Sequence, residues 1–166
     1  FWFWDELTFY AKKFAVPFVD ALVEADLGFQ MEMTVMSGFI RKGDEDFARK
    51  LNKAGVVKFN YAIESASPEI LEVMKKPIKI NQFEDQKRIL EEVGIESGTC
   101  IVLGYPQETK KTIDETFEVL YRNKIYPSVG FLLAAPGSVM YDYVIENGYI
   151  DDEEEYLLTI GDRQDM

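Results

Sequence analysis

Short apolar runs recur along this chain. Each ends abruptly in small, polar or glycine residues, and helix-patterned stretches separate them. The runs are Phe1–Trp4, Phe29–Met36, Val56–Ile63, Thr99–Leu103 and Val129–Ala135, and the clusters that end them are Asp5-Glu6, Ser37-Gly38, Glu64-Ser65, Gly104-Tyr105-Pro106 and Pro136-Gly137. The alternation predicts an α/β fold with parallel strands, because a parallel pair needs a long crossover and a helix is the usual one. In open sheets and barrels of this class, chemistry collects at the carboxyl ends of the strands. The pattern therefore places a site before it says what the site does.

The intervening stretches carry helix punctuation. Asp44 is placed to cap a helix with Phe47, Leu51 and Ala54 on its apolar face, ended by Gly55. Ser67-Pro68-Glu69 reads as an N-cap, an N1 proline and a first-turn acid. Asn81 is placed to cap Phe83–Val93, closed by Gly94. Thr109–Arg122 and Val139–Asn147 show helical spacing, and Leu7–Ala25 does so around an internal Pro17. The acidic run Asp151–Glu155 reads as a solvated tail or the start of a further segment. The expected organisation is one domain over residues 1–150 followed by a tail over 151–166.

Two strands alternate in a way that assigns their faces. Met31, Met33 and Val35 share one face, and Gln30, Glu32 and Thr34 the other. Phe59, Tyr61 and Ile63 oppose Lys58, Asn60 and Glu64. If helices cover the apolar face, the polar face looks into the concave side of the sheet. Glu32, Thr34, Asn60 and Glu64 then line a polar lumen, where a closed eightfold barrel would carry branched apolar residues. A one-sided sheet with water on its polar face has the same pattern.

Composition narrows the chemistry. The 166 residues are 47% hydrophobic, enough for a core, and the net charge of −12 is the wrong sign for a nucleic-acid surface. The pairs Lys75-Lys76 and Lys110-Lys111 read as solvated helix ends. There is no histidine, which removes the Ser-His-Asp triad, the Cys-His pair and histidine metal sites. Cys100 is the only cysteine, so no intrachain disulfide forms and a reducing, cytoplasmic setting is expected. No apolar run is long enough to span a bilayer. The aromatic opening Phe-Trp-Phe-Trp reads as a cut through a strand of a longer protein. An unpaired edge of that kind predicts association or a dimer of the fragment through it.

Three segments carry candidate chemistry. In the first, Ala62-Ile63-Glu64-Ser65-Ala66-Ser67-Pro68-Glu69-Ile70-Leu71 with Met74-Lys75-Lys76 beyond, a strand-end carboxylate and two hydroxyls can bind a diol or amine. Glu64 can equally accept backbone N–H groups. In the second, Gly104-Tyr105-Pro106-Gln107-Glu108-Thr109, glycine lets a flat ring approach the backbone. The third is Ala135-Pro136-Gly137-Ser138, with Met140-Tyr141 and Asn147-Gly148-Tyr149-Ile150 following.

In this order the segments resemble the radical S-adenosylmethionine superfamily. The resemblance is to the branch whose members usually carry a cobalamin-binding domain upstream, such as the anaerobic magnesium-protoporphyrin cyclase-like Fe–S oxidoreductases. Phe3-Trp4-Asp5-Glu6-Leu7-Thr8-Phe9 looks like that branch's second strand, and the resemblance runs from Phe1 to about Ile150. Ala62, Gln107 and Ser138 depart from the usual Gly, Gly and Thr. The three-cysteine loop that holds a [4Fe–4S] cluster is absent, and one cysteine cannot replace it.

The resemblance implies five of the six strands of a partial, TIM-like (β/α) barrel, part of an enzyme that reductively cleaves S-adenosylmethionine to a 5′-deoxyadenosyl radical. The piece itself would be inactive, because its cluster ligands would lie upstream. Asp5 and Glu6 would lie near the methionyl amine, Glu64 and Ser65 near the ribose, and Val102, Gly104 and Tyr105 along the adenine. Glu32, Thr34 and Asn60 would line the lumen for a small-molecule substrate. The upstream strand and domain of the same protein would be its partners, with cobalamin bound there. Two other readings of the same residues stay open: a (β/α)-barrel lyase or hydrolase using Asp5, Glu32 and Glu64 with Mg²⁺, and a non-catalytic binding module.

Overall fold

A computed structural model describes residues 1–3 and 5–161. The predicted strand Phe1–Trp4 thus falls partly outside the described residues. Its described part runs parallel to strand β1 (Met31–Thr34): Glu32 N–H donates to Phe1 O at 2.9 Å, and Phe3 N–H to Glu32 O at 3.1 Å. Strand β1 pairs in parallel with β2 (Val56–Asn60), with Met33 opposite Phe59 and Thr34 opposite Asn60. Strand β2 pairs in parallel with β3 (Glu96–Gly98), with Asn60 opposite Gly98.

Beyond Asn60 the chain stays beside its neighbour. Tyr61 N–H donates to Gly98 O at 3.0 Å, and Val102 N–H donates to Glu64 O at 2.9 Å, which carries the pairing into β4 (Cys100–Leu103). Strand β5 (Ser128–Phe131) then pairs with β4. Neighbouring strands follow chain order, which is the arrangement of a partial (β/α) barrel.

The faces are those the alternation predicts. Met31, Met33, Val35, Phe59, Tyr61 and Ile63 are all buried in one core, while Glu32, Thr34, Asn60 and Glu64 keep partial exposure. Helices α1 (Lys12–Ala25), α2 (Glu45–Lys53), α3 (Pro68–Val73), α4 (Ile80–Glu92) and α5 (Lys110–Arg122) fill the connections. Their buried residues, among them Val19, Leu51, Ile70, Phe83, Ile89 and Leu120, close the apolar side. Each such side chain removed from water contributes roughly 1.5–3 kcal/mol. Gly55, at φ 96°, must be glycine: a Cβ there would stand 2.0 Å from Phe29 O.

Several expected boundaries move for identifiable reasons. The helix expected from Leu7 starts at Lys12, because Thr8 and Phe9 go on pairing with β1: Thr8 N–H donates to Thr34 O at 2.8 Å, and Phe9 bridges Val35. Asn81 sits inside α4 rather than capping it. Asp44 makes no cap bond to its helix and accepts Arg41 N–H in the preceding turn. The last predicted strand spans only Ser128–Phe131.

The chain separates into two compact units, the first over Phe1–Gly130, so the division falls earlier than the expected Ile150. The second unit has its own small cluster of Ala134, Tyr141 and Val144, on which α6 (Val139–Glu146) is built. The expected acidic tail instead begins with helix α7 (Glu153–Thr159). Asp152 caps it, accepting Glu155 N–H at 2.9 Å, and its first-turn glutamates sit favourably at the positive end of the helix dipole. Tyr141 ties α6 to α7 by donating to Glu153 at 2.6 Å, which pushes the phenol up to about 12.

Candidate functional site at the carboxyl ends of the strands

Glu64 ends the extended run that begins with β2, and it does so in the left-handed region, at φ 59°. A non-glycine residue held there stores strain of a kind that concentrates at binding sites. Its carboxylate is mostly covered, with 16% of the side chain exposed, and forms an ion pair with Lys76. Helix α3 delivers that lysine. Lys75 adopts φ 54° just past the helix, Lys75 N–H donates to Glu72 O and Lys76 N–H to Leu71 O, both at 3.0 Å. This reversal of a Schellman type turns the chain back toward the strand ends. Lys76, expected as part of a solvated helix end, is therefore a site residue. The signal available in the sequence was the glutamate itself, since a covered strand-end carboxylate calls for a cation.

Cys100 and Tyr105 share the neighbourhood of this pair. Burial pushes the Cys100 thiol above its ordinary value, with Glu64 adding to the rise and Lys76 opposing it. Burial also raises the Tyr105 phenol, against Lys76 and with Glu64 and Glu108. The Gly104–Tyr105 turn is held from within: Glu108 accepts Gly104 N–H at 2.5 Å and Tyr105 N–H at 3.2 Å. Thr109 and Thr112 then close a capping box that starts α5. Gly104, at φ 102°, leaves the backbone open on that side. Because Val102 N–H is taken by Glu64 O, the Val102–Tyr105 edge offers carbonyl oxygens rather than donors.

Ser65 goes the other way. It is 2% exposed, its hydroxyl is 3.1 Å from Thr116 Oγ1 of α5, and it accepts Ser67 N–H at 3.1 Å. Thr116 also accepts Ala66 N–H at 3.0 Å. The expectation that Ser65 stands beside Glu64 toward a ribose is corrected by this placement: alternation along the chain sends the next side chain to the helix layer.

A second group assembles around the first strands. Asp5, Glu6 and Thr34 line one cleft of about 310 Å³ with Trp2 and Phe3. Glu32 lies beside Trp2 in the pairing of the first two strands. Asn60 packs across to Gly98, where a Cβ would meet Asn60 Oδ1 at 2.2 Å, so the glycine makes room for the amide. Asn60 also lines a cleft with Lys58 and Glu96. Among the described residues no three of Asp, Glu, Cys or His converge to hold a metal ion, so Asp5, Glu32 and Glu64 do not form the alternative Mg²⁺ site. No helix among them is long and apolar enough to cross a membrane.

A parallel barrel sheet with a polar concave face and an ion-paired glutamate at a strand end is the setting of a cofactor-dependent barrel enzyme. The chain belongs to the radical SAM superfamily, whose family model matches residues 5–120. Members of that family use S-adenosylmethionine and a [4Fe–4S] cluster. The chain is 27% identical over 108 residues to an uncharacterized methyltransferase of Pyrococcus horikoshii, an overlap covering 64% of this chain and 24% of that protein. It is 28% identical over 116 residues to the anaerobic magnesium-protoporphyrin IX monomethyl ester cyclase of Rubrivivax gelatinosus, covering 69% of this chain and 20% of the cyclase.

Among solved structures it resembles the methyltransferase TsrM of Kitasatospora setae with cobalamin and a [4Fe–4S] cluster bound. The TM-score is 0.59 at 19% identity, covering 69% and 23% of the two chains. It also resembles coproporphyrinogen III oxidase of Escherichia coli, with TM-score 0.60 at 15% identity, covering 74% and 29%. The chain thus spans about a quarter or less of the curated relatives it matches.

Proposed function

We propose that this chain is the S-adenosylmethionine-holding part of the catalytic barrel of a radical S-adenosylmethionine Fe–S oxidoreductase. The observation that carries the reading is the Glu64–Lys76 pair, held in strain at the end of a barrel strand beside a backbone edge rich in free carbonyls. A carboxylate and an ammonium in that position match the polar groups of S-adenosylmethionine: Glu64 accepts from a ribose diol, and Lys76 donates to the methionyl carboxylate. The Val102–Tyr105 edge accepts from the adenine amino group, with Gly104 leaving room for the flat ring. Asp5 and Glu6 are the acceptors for the methionyl ammonium, and Glu32, Thr34 and Asn60 line the rest of the lumen for a small-molecule substrate.

The cluster fits this chain differently. One cysteine, half-buried in β4, does not hold a cubane, so the cluster's ligands belong to other residues of the parent. When bound there, the cluster supplies the electron that cleaves the sulfonium, and the residues named here position the molecule being cleaved. This chain alone would therefore be inactive. Cobalamin, if the parent uses it, is held outside these residues. The exposed Phe1 and Trp2 mark the edge at which a further strand, or a second copy of the fragment, would pair.

The test is S-adenosylmethionine binding followed by equilibrium dialysis, with wild type and Glu64→Gln compared. Losing a charged acceptor costs on the order of 1.5–3 kcal/mol, a drop in affinity of roughly ten- to a hundredfold. Unchanged affinity, together with a large loss of stability, would assign Glu64 to the fold instead.

A further inference from the structure

A different cavity at the same end of the sheet has a chemistry that the cofactor reading does not use. It encloses about 340 Å³ and is lined by Tyr10, Lys12, Ser37, Gly38 and Arg41, with Met36 and Phe39 beside them. Met36 lies two residues past Thr34 and Tyr10 follows Phe9, whose bridge to Val35 continues the strand pairing, so the cavity sits just beyond the carboxyl end of β1.

Several features of this cavity favour a negative charge. Arg41 is fixed by its own turn: Nε donates to Gly38 O at 2.8 Å, and the Arg41 N–H to Asp44 Oδ2 at 2.8 Å. Among the described residues its terminal guanidinium nitrogens meet no carboxylate, which leaves a held fork with two free arms. Lys12 pairs with Asp44, so of the two cations one is uncompensated, in a chain whose net charge is −12. Ser37 Oγ is buried with no hydrogen-bond partner, a state that costs about 1–3 kcal/mol unless something else satisfies it. Finally, α1 opens onto the cavity through Ala11 and Lys12, with no side-chain cap and no acid in its first turn. Its leading N–H groups and the positive end of its dipole add to the same field.

We infer that this cavity binds an oxyanion, a carboxylate or a phosphate ester, carried by the small-molecule substrate. Arg41 grips the oxyanion with its free arms, the Ser37 hydroxyl donates to it from below, and the N-terminus of α1 faces it. The assignment to a substrate rests on the reading of the chain as part of a radical enzyme, and the oxyanion site itself does not.

The experiment is amide NMR of the isotope-labelled chain, titrated separately with butyrate, phenyl phosphate and neutral butyramide. Saturable shifts centred on Lys12, Ser37 and Gly38 are expected with one or both anions and not with butyramide, and the anion that binds tighter names the class. Arg41→Gln should weaken binding about tenfold or more, as expected for loss of a charge-assisted contact. Arg41→Lys should recover part of it. Ser37→Ala, the milder change should Arg41→Gln unfold the chain, should weaken binding several-fold. The inference is overturned if neither anion saturates, if butyramide produces the same shifts, or if Ser37→Ala and Arg41→Lys both titrate like wild type. S-adenosylmethionine affinity in the Glu64→Gln comparison reports on the cofactor reading alone, so the two can fail separately.

Discussion

At the scale of single residues, neighbours in the sequence take opposite tasks. Glu64 faces the cleft with Lys76, while Ser65 turns to the helix layer and joins Thr116. Ser65→Ala should therefore destabilise the fold by about 1–2 kcal/mol, the net worth of one or two buried hydrogen bonds. It should leave S-adenosylmethionine affinity unchanged, and thermal melts paired with dialysis separate the two effects. A loss of affinity at full stability would return Ser65 to the binding site.

Cys100 gives an independent reporter of the same neighbourhood. Its thiol is raised in the folded chain by burial first and Glu64 second. Between the ordinary and the raised value the unfolded chain has lost the proton that the folded chain keeps. The folded state then binds more protons, and stability falls as pH rises through that window. Alkylation by iodoacetamide near the ordinary thiol range should accordingly be slow in wild type. Glu64→Gln should speed it by removing a charge that disfavours thiolate, and Lys76→Gln should slow it. The opposite order would mean that the pair does not face the thiol.

At the scale of elements, the alternation of Met31, Met33 and Val35 with Glu32 and Thr34 made the core face readable, because a period of two assigns every side chain once one face is buried. Gly55 and Gly94 marked helix ends for the same kind of local reason. What local pattern hid was anything set by a distant partner. Thr8 and Phe9 have helical neighbours in sequence but are held extended by Thr34 and Val35. Lys76 looked like one of two solvated lysines until the reversal at Lys75 carried it to Glu64. Ser37 and Arg41, absent from the sequence reading altogether, become a pair only when the turn after β1 meets the start of α1.

The reversal at Lys75 has a cost that can be measured. A side chain at φ 54° stands where glycine is the usual occupant, with a penalty of roughly 1–2 kcal/mol. Lys75→Gly should raise stability by about 1 kcal/mol, partly offset by the greater freedom of glycine when unfolded. The direction of Lys76 should be kept, so cofactor affinity should not fall. A destabilised variant in denaturant titration would show that Lys75 makes contacts worth more than its strain.

At the scale of the whole molecule, the fold and the donor set divide the family's chemistry. The sheet order and the polar concave face belong to this chain, while the cysteines that bind a cluster do not. One cysteine with a raised thiol value is a poor iron ligand, since thiolate is the ligating form. Among the described residues no acidic cluster substitutes for the missing thiolates. Anaerobic reconstitution with iron and sulfide should therefore leave the purified chain colourless, without a stoichiometric charge-transfer band in the visible, while S-adenosylmethionine still binds through the Glu64–Lys76 pair. Iron and sulfide analysis gives the decisive number. A stable cluster at one per chain would mean that the fragment assembles its ligands from several copies through Cys100, and would overturn the division between a cofactor-holding barrel segment and a cluster loop supplied by other residues of the parent.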